Sequence, residues 1–334
     1  NSFDYIVVGA GSAGCVLADR LSADGRYSVC VLEAGPGKGS FTIRTPGAFA
    51  AHMFIKTYNW AFNARPDQQL RGGQPLFTPR GKGLGGSSLI NGMLYVRGQK
   101  EDYDEWEALG NEGWGYAEML PYFLKSEHHE TLAGTPYHGK GGNLYISAPE
   151  TAEYPMSGAF VDAARQTGFP YSSDFNGAEQ EGVGYFHLNI KNGRRFGVAD
   201  AYLKPAMSRQ NLTVLTEARV KKLVLEGNRA VAVELRHKDS DLVLNANREI
   251  ILSGGAINSP QLLQLSGIGD HDALESLGIR CRHELPGVGK NLQEHVDACV
   301  LVSSRKNNGF TASLGGLLKM VPDTIRYFLS KRGK

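Results

Sequence analysis

Residues 3–33 read FDYIVVGAGSAGCVLADRLSADGRYSVCVLE. The β-branched and aromatic run Phe3–Val8 suits a strand, Gly9, Gly11 and Gly14 mark a turn, and AGCVLADRLS has helical apolar spacing. Val29–Leu32 is a second short apolar run, so the stretch reads as strand, turn, helix, strand, with Glu33 at the end of the second strand. In an open parallel sheet that edge is where ligands bind. Gly9-Ala10-Gly11-Ser12-Ala13-Gly14 matches G-x-G-x-x-G. In that pattern the first glycine makes the turn, the second admits a pyrophosphate, the third lets the helix pack closely, and the helix N-terminus faces the phosphates. A carboxylate at Glu33 would accept hydrogen bonds from ribose hydroxyls and repel a 2′-phosphate, which favours FAD or NAD over NADP. The plainer alternative is a structural turn and a solvated acid, but the strand before it, the helix after it and the acid in its place argue against that.

The second glycine-rich stretch, GKGLGGSSLINGMLYVRGQKEDYD at Gly81–Asp104, places Gly81, Gly83, Gly85 and Gly86 too close together for a helix or strand, and suits a backbone lying against a ligand. Ser87 and Ser88 would offer hydroxyls and amides to it, and Asn91 would set one amide in an apolar wall. Taken alone, a glycine-rich surface loop is the better reading. Further along, Leu212–Thr216, Arg219–Glu226, Ala230–His237 and Asp241–Leu244 read as short strands of a meander, Glu249–Ser253 as another strand, and Pro260–Leu265 as a helix. Helices are expected over Glu101–Lys125, broken near Asn111–Gly115, and over Tyr154–Gly168, with aperiodic loops over residues 35–77 and 130–142.

Together the two glycine-rich stretches and Gly255-Ala256-Ile257-Asn258-Ser259-Pro260 through Gly269 resemble the glucose-methanol-choline oxidoreductases, flavoenzymes that oxidise alcohols. Gly81–Asp104 agrees with that family's first motif and Gly255–Gly269 with its second, while RGKGLGGSSLINGM and ELPGVGKNLQEH look closest to its choline dehydrogenase branch. The resemblance implies an α/β fold: a Rossmann-like FAD-binding domain with a β-meander at 1–150 and 206–305, interleaved with a partial α+β substrate domain at 151–205 and 306–334. It also implies that Gly9, Gly11, Ser12, Ala13 and Gly14 cradle the pyrophosphate and that Glu33 and Ala34 hold the adenosine. Arg80, Gly81, Gly86, Ser87, Asn91, Gly92 and Met93 would line the flavin and its ribityl chain. Val220 would meet the adenine, and Gly255 and Ala256 would close the far side. Some family members attach the flavin to a histidine just before the asparagine; Ile90 stands there, so FAD is expected to be noncovalent.

Oxidising an alcohol this way needs a base beside the hydroxyl. In the family this is a histidine near the C-terminus, which no position here matches, so the catalytic residue is expected beyond Lys334, in a C-terminal remainder of the protein. The implied reaction is the oxidation of a primary alcohol, choline or similar, with a quinone or dioxygen as electron acceptor. Other readings are a dioxygen-using alcohol oxidase, a non-redox flavoprotein of the same fold and, against the two long motifs, an NAD-binding protein. Tyr58, Trp60 and Phe62 are candidates for an aromatic cage around a quaternary ammonium, or for ordinary core.

With 334 residues, 41% hydrophobic and 21% charged, the composition is that of an ordinary globular protein, and a net charge of +2 without basic tracts excludes a general attraction to nucleic acid. Cys15, Cys30, Cys281 and Cys299 show no C-x-x-C pairing and read as reduced thiols in a cytoplasmic setting. No apolar run reaches the length of a membrane span. The basic ending of MVPDTIRYFLSKRGK allows a peripheral place on the inner face of a membrane. His128, His129 and His138 lack metal spacing and are expected in a lid or on the surface, with no metal. His295 is expected in a hydrogen-bonded helical turn, Arg194 and Arg195 to fix a loop at the domain junction, and the sequon at Asn211 to be a chance match.

Overall fold

A computed structural model describes residues 1–65, 71–149, 155–295, 321–322 and 324–329. The chain forms two compact units, the first from Asn1–Gly92 and Gly197–His295, the second built on Met93–Phe196. The first holds a six-stranded sheet made of β1 (Ser2–Val8), β2 (Val29–Leu32), β3 (Leu212–Leu215), β4 (Ala218–Glu226), β5 (Arg229–His237) and β6 (Ser240–Leu252). Its order is β3-β2-β1-β6-β5-β4, with β3, β2, β1 and β6 mutually parallel and β4, β5 and β6 an antiparallel meander. Helix α1 (Ser12–Leu21) follows β1, and helix α2 (Gly255–Leu265) follows β6.

The topology positions the site. β1 lies between β2, which follows it in the chain, and β6, which comes last, and this reversal opens a crevice at the carboxyl ends of the strands. Val8, Leu32, Leu215 and Leu252 share one row of the ladder. One residue further, Gly9 N donates to Leu32 O at 2.8 Å, Ser253 N to Val8 O at 2.8 Å and Glu33 N to Leu215 O at 2.9 Å. The two fingerprint ends and the acid thus leave the sheet side by side. Beneath them all four residues of β2 are buried, as an all-parallel strand covered on both faces must be. Ile6, Leu32, Val233 and Leu235 form the core together with Leu262 of α2, each contributing about 1.5–3 kcal/mol of burial. α2 is also tied to the meander, because Ser266 Oγ accepts from Leu223 N at 2.9 Å.

Three sequence expectations change. The stretches 241–244 and 249–253 are one 13-residue strand, β6. Its polar middle, Asn245–Arg248, looks like a turn in sequence, but Asn245 and Ala246 pair with Ser2 and Phe3 of β1, and a bulge before Glu249 absorbs the extra residue. α2 begins at Gly255, not at Pro260, and the proline inside it leaves the Ala256 carbonyl without its i+4 amide. Finally, the compact units part at Gly92 and Gly197 rather than near 150 and 206. Within the second unit Leu94–Tyr95 pairs with His187–Leu188, and Ser147 bridges Leu188, so the chain from 93 to 149 packs with the chain up to 196. That unit also carries the helices Lys100–Ala108, Tyr116–Ser126 and Pro155–Gln166, with the expected break between the first two. Tyr154, Cys299 and most of 306–334 lie outside the described residues.

Candidate functional site

At the carboxyl edge of the sheet the first unit has a cleft of ≈ 930 Å³, at the large end of the about 300–1,000 Å³ usual for small-molecule sites. Of the residues expected to bind a cofactor, Gly9, Gly11, Ser12, Ala13, Glu33, Ala34, Arg80, Gly81, Gly86, Ser87, Val220, Gly255 and Ala256 line it. Gly14 lies behind the wall, and Asn91 and Gly92 are exposed outside it. Met93 is buried in the second unit, with a left-handed φ of 63°.

The glycines divide by what demands them. A Cβ on Gly14 would sit 1.9 Å from Gly9 O, and one on Gly9 would sit 2.6 Å from Ser253 O, so the chain's own packing requires both. Gly11 is different: its φ is −71°, and a Cβ there would meet only Ser253 O at 3.7 Å, an ordinary contact. The fold tolerates a side chain at Gly11, yet the residue lines the cleft. Protein packing does not demand a glycine there, and its absence of side chain leaves room for the close approach of a pyrophosphate.

Glu33 is 5% exposed and joins three segments. Its Oε2 accepts from Ala10 N at 2.9 Å, and its Oε1 from Gly35 N at 2.8 Å and Gly83 N at 3.0 Å. Burial pushes its pKa up, against the three amides that favour the carboxylate. Three of roughly four lone-pair sites are thus filled by the protein, leaving capacity for a ribose hydroxyl. Gly85 N returns a bond to Ala10 O at 2.7 Å, so the second glycine-rich loop is laced directly onto the fingerprint turn. There Gly81 and Gly86 touch: a Cβ on Gly81 would lie 2.1 Å from Gly86 O, and one on Gly86 would lie 2.7 Å from Gly11 Cα. Ser87 Oγ accepts from Gly81 N at 3.1 Å at the wall. The Ser88 hydroxyl faces inward, donating to Gly85 O at 2.7 Å and accepting from Val198 N at 3.2 Å, so it is not a cleft ligand group. Arg80 reaches the wall while pairing with Glu294 at 2.7 Å.

The sequence profile of the GMC oxidoreductases matches residues 3–297. The chain belongs to the GMC oxidoreductase family. It is 46% identical over 304 residues to the mitochondrial choline dehydrogenase of Homo sapiens, covering 89% of this chain and 51% of that protein. Over 333 residues it is 41% identical to an alcohol dehydrogenase [acceptor] of Pseudomonas putida, covering 99% of this chain and 60% of that protein. Among solved structures it is similar to pyridoxine 4-oxidase from Mesorbium loti, with a TM-score of 0.81 and 38% identity over 85% of this chain and 55% of that one. The chain therefore spans about half to three-fifths of the length of these relatives. FAD is the cofactor assigned to the GMC cleft here, and the free approach at Gly11 with the anchored acid at Glu33 fits it.

Other expected groups fall elsewhere. Trp60 and Phe62 line the cofactor cleft, and Tyr58 does not. With the Lys82 ammonium 5.3 Å and the Arg219 guanidinium 5.7 Å from the Trp60 ring centre, this is no cage for a quaternary ammonium. His295 is exposed and outside any helix, after left-handed turns at Gly289 and Asn291. Arg195 is buried in a hairpin with Ile190–Lys191 and Arg194 is exposed. The Asn211 amide donates to Ser22 O and Tyr27 O.

His129 and His138 are neither lid nor surface groups: both are buried in the second unit, in an ion network that sequence spacing does not reveal. Glu127 accepts from Arg97, from Tyr95 OH at 3.0 Å and from His138 Nδ1 at 2.7 Å, while His138 Nε2 donates to Asp174 at 2.8 Å. His129 Nδ1 accepts from Thr131 N and Leu132 N, which fixes its proton on Nε2, facing His187 Nδ1 at 3.3 Å. Ligand atoms of Glu127, His129 and His138 lie within 4.8 Å of one another, but these bonds already engage them and the two cations balance the two carboxylates. The geometry is that of a closed network, not an open metal site.

That network sets a pH dependence. Burial works against a charged His138, but its hydrogen bonds to Asp174 and Glu127 outweigh burial and push its pKa up to about 9. Burial, with the His138 charge, lowers His129 to about 4. The His138 contribution is therefore complete below 6.5 and lost as pH rises through about 9, whereas that of His129 is complete above 6.5 and lost as pH falls towards about 4. Each limb is worth about 3 kcal/mol. Thermal unfolding is expected to peak near neutrality, and His138→Gln to flatten the alkaline limb; an alkaline limb equally steep in the variant would exclude this origin.

Proposed function

We propose that the intact protein oxidises a small primary alcohol, choline or a close analogue, to the aldehyde, using noncovalent FAD. The observation that carries this reading is the cleft in which both glycine-rich loops converge on Glu33, in a chain 46% identical to a choline dehydrogenase. When bound, FAD would supply the hydride acceptor for the alcohol carbon. The chain's own groups hold and orient. The amides at Gly11–Ser12, at the N-terminus of α1, would hold the pyrophosphate, Glu33 the adenosine ribose, and the loop Gly81–Ser87 the ribityl chain. Ile90, buried and aliphatic, has no group to form a covalent link with the flavin.

Among the described lining residues there is no imidazole, and the one buried carboxylate, Glu33, is committed to three amides. The reading therefore assigns the base that takes the hydroxyl proton to a C-terminal remainder of the protein. The electron acceptor is a quinone or dioxygen. Among the described residues no helix is long and apolar enough to cross a membrane, and we place the protein in the cytoplasm, with a peripheral position at the inner face of a membrane in keeping with a quinone acceptor. Reduction of an artificial dye by the intact protein over choline, aliphatic and aryl alcohols tests the proposal, with choline or a small aliphatic alcohol expected to give the fastest turnover. Flavin that no alcohol bleaches would favour the non-redox alternative, and rapid reoxidation by air would favour an oxidase.

A further inference from the structure

We propose that the second unit carries a site of its own for a small neutral molecule with several hydroxyl groups, a polyol or a monosaccharide, in the open cavity over His187 and Asp174. The site does not depend on the FAD reading of the first unit. Its cavity measures ≈ 440 Å³, within the about 300–1,000 Å³ of small-molecule sites. The floor is the outer end of the buried ion network, where His138, Asp174 and His187 come to the cavity wall, and the rim carries Thr131, Thr135 and Ser173, all exposed. The protein's own bonds set the shape of that rim. Thr131 N and Leu132 N both donate to His129 Nδ1, Thr135 N donates to Leu132 O at 3.1 Å, and His138 N donates to Thr135 O at 3.2 Å.

The floor selects the ligand. With its Nδ1 held by two amides, His129 carries its proton on Nε2 and donates it to His187 Nδ1 at 3.3 Å. A neutral His187 must then carry its own proton on Nε2. Burial, with the His138 charge, keeps the His187 pKa low against the pull of Asp174, so the ring is neutral. The residue is 5% exposed and lines the cavity, and among the described residues its Nε2–H meets no protein acceptor. A donor so buried takes its partner from the cavity. Asp174 stands beside it, with Oδ1 3.8 Å from His187 Nδ1. Oδ1 accepts from Asn176 N at 2.9 Å and Oδ2 from His138 Nε2 at 2.8 Å, which leaves each oxygen a lone pair. One ligand hydroxyl satisfies both groups, its oxygen accepting from His187 and its proton going to Asp174. An anion would meet the Asp174 carboxylate, and a cation the His138 charge and the His187 donor, so the floor disfavours both. The hydroxyls of Thr131, Thr135 and Ser173 have no protein partner among the described residues, and each can donate to or accept from a further hydroxyl of the ligand.

The test is titration of the intact, FAD-loaded protein with methyl α-glucoside and, separately, with glycerol, read by saturation-transfer NMR. Saturable binding of at least one of them is expected, with neither acetate nor methylammonium at equal concentration displacing it. Binding of the glucoside assigns a sugar ring to the site, and binding of glycerol alone an open-chain polyol. In Thr135→Val and in Ser173→Ala the dissociation constant is expected to rise roughly three- to tenfold, the worth of one hydrogen bond. In His187→Phe binding is expected to be lost. The two rim variants leave the buried floor intact, so they decide the matter should His187→Phe fail to fold. No saturable binding of either probe, displacement by acetate or methylammonium, or a dissociation constant unchanged in both rim variants would overturn the site.

Discussion

Glu33→Gln is expected to strip the protein of its cofactor, lowering FAD affinity by at least about 100-fold, equivalent to about 3 kcal/mol. The carboxylate holds Ala10 N through one oxygen and Gly35 N and Gly83 N through the other. An amide supplies only one oxygen. In its better orientation that oxygen keeps Gly35 and Gly83, and the new NH2 then faces the Ala10 amide, donor against donor, at the fingerprint turn. The loss therefore falls on the geometry of the pyrophosphate cradle as well as on the ribose contact, and the second glycine-rich loop loosens because Gly85 is bonded to the same Ala10. FAD per chain after purification, and the dissociation constant by recovery of flavin fluorescence, measure the effect. A variant that keeps the parent's FAD content would refute the role given to Glu33.

The second large effect is a contrast between two glycines of one motif. Gly14→Ala places a methyl 1.9 Å from Gly9 O, against backbone that rotation of a side chain cannot clear, and is expected to lower folding stability by about 3 kcal/mol or more. Gly11→Ala places its methyl no closer than 3.7 Å to Ser253 O at an ordinary φ. Its folding stability is expected to hold or to rise by about 0.4–1 kcal/mol, through the lost freedom of the unfolded chain. Its cofactor affinity is expected to fall at least about tenfold, because the methyl occupies the approach of the pyrophosphate. Urea unfolding and flavin content, measured on both variants, separate the two roles. If both variants lose stability alike, or Gly11→Ala keeps its flavin, the division between packing glycine and ligand glycine is wrong.

Much of the cleft is legible in the sequence because its signals are local. Gly9–Gly14 and Glu33 are read from one strand-turn-helix-strand unit, and the ladder places them side by side as that unit requires. The role of Gly81–Ser88 also has a local mark, the density of glycine. The same motif conceals a division, since its later part serves another purpose: Tyr95 and Arg97 build the ion network of the second unit. That network has no sequence signature, because Arg97, Glu127, His138 and Asp174 meet across separations of 30, 11 and 36 residues that no helix or strand period links. The aperiodicity of residues 35–77 similarly hides how the Asn59 side chain fastens Trp60 and Phe62 to the cleft. In β6 the polar Asn245–Arg248 imitates a turn, and only pairing on both sides of the strand overrides it.

This cleft is expected to hold FAD without a covalent bond. Acid or heat denaturation of the purified protein, followed by chromatography of the supernatant, tests it most directly. One free FAD per chain in solution and a colourless polypeptide pellet are expected. Flavin that stays with the polypeptide, or a protein that releases no flavin at all, would contradict it.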